Sequence, residues 1–311
     1  MICPNCRTRN PDGDRYCLCG AYLRVEPGAY HRDLLQLSRS DFVEALSEGI
    51  PLIVSNVTSL WNEANEISRI GPRRAVGILQ GIAEEEAAKV LLLIDCLRCP
   101  LSRIGEYQAL LKQFDRHLAK GVYARYYDTS PHDLAEVRQI VELETRSFYR
   151  EGDYGEFALP NTIIYWRESR LYVSYIRNDD GSHSWHAPHP PDFLDGHISP
   201  SGAITVVSAM NDLGLFSKAT LAEVAAYWQK IPFESVDPSS PQSDSGTNVS
   251  WGQLRDHNLR MFQPGGINFI AGGLAAAQTL VDRWLFPLYP FDLGERGSIA
   301  DLAPPDSPDW Y

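Results

Sequence analysis

Apolar residues recur every three to four positions in three successive stretches. Residues 51–69 carry Leu52, Val54, Val57, Leu60 and Trp61, and residues 73–98 carry Val76, Ile78, Leu79, Ile82, Val90, Leu91 and Ile94. The third runs from 101 to about 126, and Gly71-Pro72 and Pro100 separate the three. This is the spacing of one helix face, and Ser38-Arg39-Ser40-Asp41 offers a polar start ahead of the series. Ser130-Pro131-His132-Asp133 predicts a fourth helix running to about Phe148, with Ser130 as cap, Pro131 in the first turn and Asp133 closing a capping box. Four helices with short connections make a bundle.

Past Gly152 the pattern changes. Thr162-Ile163-Ile164-Tyr165-Trp166 and Leu171-Tyr172-Val173-Ser174-Tyr175-Ile176 are rich in β-branched and aromatic residues, and Asn178-Asp179-Asp180-Gly181 is a turn. They predict a short β segment near 160–190. Helical patterns resume at about 218–230 and 267–286, on either side of a loop at Pro238–Gly246, and Ala303–Tyr311 reads as an acidic tail or strap. The expected fold is mainly α. A small cysteine module over 1–26 precedes a helical bundle with its β segment over 38–200, and a helical extension follows over 201–311.

A chain of 311 residues is long enough for a sizeable core, and 44% hydrophobic with 22% charged residues is ordinary globular composition. No apolar run reaches the length of a membrane span and no signal-type segment opens the chain, so a cytoplasmic protein without membrane contact is expected. The net charge of −12 is unevenly placed: residues 1–150 carry 19 basic against 20 acidic residues, and residues 151–311 carry 9 against 20. Within 98–127 the sign reverses, since Arg98, Arg103, Lys112, Arg116, Lys120 and Arg125 face only Glu106 and Asp115. Tyr107, Phe114, Tyr123, Tyr126 and Tyr127 are interleaved with these cations. Basic groups neutralise phosphates and aromatic faces stack on unpaired bases, so Arg103, Lys112, Arg116 and Arg125 are candidates to hold single-stranded RNA. The same pattern also fits a helix with its aromatics in the core and its cations in water.

Cys3-Pro4-Asn5-Cys6 and Cys17-Leu18-Cys19-Gly20 are separated by ten residues. Four thiolates close a tetrahedral zinc site in ribbons too small for an apolar core, and Cys3, Cys6, Cys17 and Cys19 are the expected ligands of one structural zinc. The second pair has one intervening residue where the familiar ribbon has two. A ribbon without metal and redox-active thiols are the other readings. Cys96-Leu97-Arg98-Cys99 reads as packed thiols, His183, His186 and His189 as a packed loop with metal chelation as the alternative, and the pairs Gly265-Gly266 and Gly272-Gly273 as turn and close packing.

Two charged runs stand inside helical stretches: Ala83-Glu84-Glu85-Glu86-Ala87-Ala88-Lys89 and Phe114-Asp115-Arg116-His117-Leu118-Ala119-Lys120. Glu85 and Glu86 lie four and three residues before Lys89, and His117 three before Lys120, so each set shares a helix face. Packed antiparallel, the two helices would set a carboxylate beside an imidazole, fixing its tautomer, with ammonium groups free to bind phosphate. Such spacing also makes ordinary solvated faces, worth about a few tenths of a kcal/mol per pair.

These runs, together with Arg167-Glu168-Ser169-Arg170-Leu171-Tyr172-Val173 leading to Trp185 and Pro188, resemble the AbiV family of bacterial abortive-infection proteins, a branch of the HEPN helical superfamily. The resemblance covers roughly residues 40–195. It implies antiphage defence through an effector acting on RNA or translation, and a homodimer, since HEPN nucleases commonly build their site across two copies. A phage or regulatory protein is a further possible partner. HEPN ribonucleases work without metal and carry an Arg followed after four to six residues by a His, and Arg125 with His132 fits that signature. The candidate catalytic set is therefore Glu85, Glu86, Lys89, His117, Lys120, Arg125 and His132. The rival reading is a non-catalytic protein that arrests translation by binding RNA or protein.

Overall fold

A computed structural model describes residues 31–151, 157–177, 182–188, 198–231, 250–262 and 273–297. The chain divides into two units, Met1–Leu37 and Ser38–Tyr311. In the first, only the end of the unit is described, with one short helix, α1 (His31–Leu34). The expected zinc ligands Cys3, Cys6, Cys17 and Cys19, the loop at 238–246, the turn at 178–181, His189, Gly265, Gly266, Gly272 and the tail from 303 lie outside the described residues.

The second unit is mainly helical. Its first hairpin is α2 (Arg39–Ile70) and α3 (Arg73–Arg98). The Ser38 side chain accepts from the Asp41 amide at the start of α2, and the helix continues across Pro51. Phe42, Leu46, Ile50, Val54 and Val57 form its buried stripe at three- and four-residue spacing. α3 is two-faced in its first half. From Val90 to Cys99 every residue is buried, so this half is the axle of the unit.

The expected single helix over 101–126 is broken. A 3-10 turn at Leu101–Arg103 leads into α4 (Ile104–Leu111), and the chain then turns before α5 (His117–Tyr126). Neither Gly nor Pro marks the break, and the apolar period reads straight through it. His117 consequently opens a helix where mid-helix was expected. In α6 (Leu134–Glu144) the cap is Asp133, whose side chain accepts from the Glu136 amide, and not Ser130; the helix also stops short of Phe148.

β1 (Phe148–Glu151) and β2 (Phe157–Pro160) pair antiparallel, with Phe148 opposite Pro160. Residues 162–166, expected as strand, open α7 (Thr162–Leu171). Asn161 overrides the β-branched run: its Oδ1 accepts from the Ile163 and Ile164 amides, and its Nδ2 donates to the carbonyls of Glu144 and Arg146, both at 2.7 Å. β3 (Ser174–Arg177) and β4 (His183–His186) form the short antiparallel hairpin that the sequence placed nearby.

Beyond 201 the chain builds α8 (Gly202–Asp212), α9 (Lys218–Trp228), α10 (Trp251–Met261) and α11 (Leu274–Arg283). α8 packs against α3, α5 and α11, and α9 against α2 and α3, so this region shares the bundle's core. After α11, Trp284, Leu285, Phe286, Leu288 and Tyr289 run buried without regular structure. Arg98 and Asp95 fasten this segment to the axle. The Leu288 amide donates to Asp95 Oδ2 at 2.7 Å, Tyr123 Oη donates to the same oxygen at 2.8 Å, and Arg98 donates to Asp95 Oδ1 at 3.0 Å and to the Leu285 carbonyl. Burial pushes the Asp95 carboxyl up, opposed by Arg98 and these donors. Every contact it makes is with a donor, so it stands as carboxylate. The Arg98 guanidinium lies 3.7 Å from the Trp228 ring centre and 4.9 Å from that of Trp284.

α8 meets the end of α5 with no side chain between them. The Gly202 amide donates to Asp128 Oδ1 at 2.6 Å, and a Cβ on Gly202 would stand 1.9 Å from the Tyr127 carbonyl oxygen. Gly202→Ala is therefore expected to destabilise the fold by about 1–3 kcal/mol, read as a lower urea midpoint with unchanged slope.

His257 on α10 packs at a tilt against Tyr227 with ring centres 4.2 Å apart, and its Nε2 is buried without a hydrogen-bond partner. Burial, and after it Arg98, Arg260 and Lys230, push its pKa down to about 4. The unfolded chain then binds more protons than the folded one between about pH 4 and 6.5, so this group's contribution is full above 6.5 and is lost as pH falls through that window. Urea titrations across pH 4–7 should show the loss in the parent, and a smaller one in His257→Gln.

Candidate functional site

Three helices meet on one carboxylate. Glu85 projects from the two-faced half of α3. Its Oε2 accepts from His117 Nδ1 at 2.8 Å and from Lys120 Nζ at 2.8 Å, both on the first turn of α5. Its Oε1 accepts from Arg167 Nε on α7 at 3.0 Å, and the same guanidinium reaches Glu168 at 2.8 Å. The shared face of His117 and Lys120 survives the unexpected helix break, because both residues fall after it.

Burial raises the Glu85 carboxyl, but the hydrogen bonds and charges of Lys120 and His117 outweigh it and hold the group below the usual carboxylate range. Burial works against the Arg167 guanidinium, and Glu85 and Glu168 more than restore its proton. Lys120 is 5% exposed, whereas the His117 side chain is 44% exposed. Lys120 is thus a fixed part of the cluster, and the imidazole is its accessible member. A carboxylate only accepts, so Nδ1 is the donor in this contact, and Nε2 is the ring nitrogen that Glu85 leaves unengaged.

His117 and Glu85 line a groove of about 970 Å³ between α3, α5 and α7, whose charged lining adds Glu84, Arg125, Arg167 and Arg170. Arg125 NH1 donates to Glu144 at 2.9 Å and to Thr162 Oγ1 at 2.6 Å. Burial raises the Glu84 carboxyl, against a hydrogen bond from Gln80 and the charge of Arg170. Burial lowers Arg170, against Glu84. Arg170 makes no ion pair among the described residues, and its Nε is buried without a hydrogen-bond partner. Tyr165 and Trp166 also line the groove, 45% and 46% exposed, their rings edge to face with centres 5.7 Å apart.

No protein-family model, curated protein or solved structure matches the chain. The groove must be read from its own chemistry.

The structure sorts the sequence candidates. Glu85, His117 and Lys120 come together, joined by Arg167. Glu86 and Lys89 pair with each other, and Lys89 sits 5.8 Å from the Phe114 ring centre, outside the Glu85 cluster. Arg125 lines the groove, but His132 is exposed and pairs with Glu136 at 3.2 Å, so the two have separate partners. Among the RNA-contact candidates, Arg103 pairs with Glu106 at 3.2 Å, and Lys112 and Arg116 are exposed at the ends of the α4–α5 turn; only Arg125 is in the groove. The aromatics expected to stack on bases are largely core: Tyr107, Tyr123, Tyr126 and Tyr127 are all buried. Cys96 and Cys99 are buried thiols, with burial pushing Cys99 up to about 12 and Cys96 also upward.

Arg167, Arg170, Tyr165 and Trp166 were not among the sequence candidates. Their signal was present as a helix face: Ile163, Trp166, Arg167 and Arg170 share one side only if 162–171 is helical.

Gly121 allows α7 to close on α5. A Cβ there would fall 2.1 Å from Ile163 Cγ2. Gly121→Ala should displace α7, so that hydrogen exchange rises about tenfold or more over Thr162–Leu171 and stays unchanged in the buried half of α3.

Proposed function

We propose that the chain is an RNA-directed antiphage effector of the AbiV kind, and that the groove is the site of a metal-independent endoribonuclease. The observation that carries this reading is the accessible His117 imidazole, held through Nδ1 by Glu85 amid Arg125, Arg167 and Arg170. Resemblance to the AbiV motifs supplies the defence setting, and the absence of any membrane-crossing helix among the described residues is compatible with action on cytoplasmic RNA.

The chemistry follows from the parts. The arginines hold the scissile phosphate and spread its developing charge. His117 Nε2 takes the proton of the neighbouring ribose 2′-hydroxyl, the 2′-oxygen bonds to phosphorus, and the bond from phosphorus to the 5′-oxygen breaks. Solvent in the open groove protonates the leaving 5′-oxygen. The products are a 2′,3′-cyclic phosphate and a free 5′-hydroxyl. Glu85 is a positioning residue that orients the ring, and Lys120 braces Glu85. Cys3, Cys6, Cys17 and Cys19 would hold a structural zinc by donor chemistry, and a second copy of the chain is the expected partner.

Purified protein incubated with total RNA in EDTA is expected to cleave it. His117→Ala should lower the rate by about 10²–10⁴-fold, with His132→Ala near the parent. Glu85→Gln should lower kcat by about tenfold or more with little change in KM, because the ring loses its orientation and not its substrate. Cleavage unaffected by His117→Ala would overturn this site. A stable RNA complex without cleavage would favour the non-catalytic reading.

A further inference from the structure

Tyr165 and Trp166 open on the groove although each offers a large apolar ring surface that burial would favour. Both come from α7, the helix that supplies the arginines. Trp166 and Arg170 are one turn apart on the same side, about 6 Å along the axis. Arg170 is the cation with an unmet requirement: it has no ion pair among the described residues, a buried Nε without a partner, and Glu84 as its main nearby counter-charge. A flat apolar face beside a guanidinium that makes no ion pair among the described residues matches the two halves of one nucleotide.

We infer that Trp166, with Tyr165 at its edge, is a stacking platform for an unpaired base whose adjoining phosphate is taken by Arg170, which makes the groove selective for single-stranded over double-stranded RNA. This rests on the reading of the groove as an RNA site. Bases in a duplex are already stacked on their neighbours and cannot lie on a protein ring without being splayed out, whereas single-stranded bases can. The surrounding cations match the charge of the strand. Stacking tolerates any base, so the platform sets strandedness and not sequence.

The test uses the full chain carrying His117→Ala, so that RNA survives, and fluorescence anisotropy with a short labelled oligouridylate. A second arm uses the same oligomer annealed to oligoadenylate. The single strand is expected to bind about tenfold or more tighter than the duplex. Trp166→Ala should weaken single-strand binding about tenfold and leave duplex binding unchanged, and Trp166→Phe should restore most of the loss. Thermal melting checks that both variants are folded, as expected for a half-exposed position. If the protein binds the single strand and Trp166→Ala changes nothing, or if the duplex binds as tightly, the platform is wrong while the RNA reading stands. If neither strand form binds and the parent cleaves no RNA, the RNA reading falls and takes the platform with it.

Discussion

The Asp95–Arg98 pair is the contact on which the second unit turns. An ion pair with both side chains fully buried is expensive unless its remaining hydrogen-bonding groups are met. Here Asp95 takes Tyr123 from α5 and the Leu288 amide from the segment after α11, while Arg98 reaches the Leu285 carbonyl and lies between two tryptophans. One helical turn of α3 thereby orders α5, α9 and an irregular buried segment. Removing one partner would strand a charge in the core, which makes each half of the pair costly to lose. The pair explains how a segment without regular structure, Trp284–Tyr289, can be among the best-buried parts of the chain.

α3 carries two opposite environments on one rod. Its second half is the dry axle, and its first half turns Glu84 and Glu85 to the groove. The rigidity of the axle fixes where Glu85 stands, and α5, held to the axle by Tyr123, presents His117 and Lys120 from the other side. α7 completes the cluster and is placed by quite different means: the Asn161 side chain at its start and the bare face of Gly121 beneath Ile163. The three walls of the groove are thus set by an ion pair, a capping amide and a glycine.

The long helices were legible because periodicity, caps and breakers agree there. α2 and α3 begin and end close to where Ser38 and Gly71-Pro72 indicate. The α4–α5 break left no mark, since the turn at 112–116 contains neither Gly nor Pro. α7 was misread because Thr162, Ile163, Ile164, Tyr165 and Trp166 favour strands by side-chain type, and the deciding Asn161 cap acts through contacts to a distant helix end. That one error hid half of the candidate site: residues 167 and 170 point to opposite faces of a strand and to the same side of a helix. α8, also β-branched, and α10, which opens on a Ser250–Gln253 capping box, are two further helices that the apolar period does not mark. The aromatics of 98–127 show the converse, where composition suggested a surface and burial made a core.

Glu85 also acts as a resident stand-in for phosphate. Its two oxygens occupy donors of Lys120, Arg167 and the His117 imidazole, from two other helices, much as the non-bridging oxygens of a nucleotide would. The donors are therefore already aimed before any polyanion arrives, and like-charge repulsion among them is quenched in the resting protein. Any anion that enters the groove would compete with Glu85, an internal rival, for Arg167.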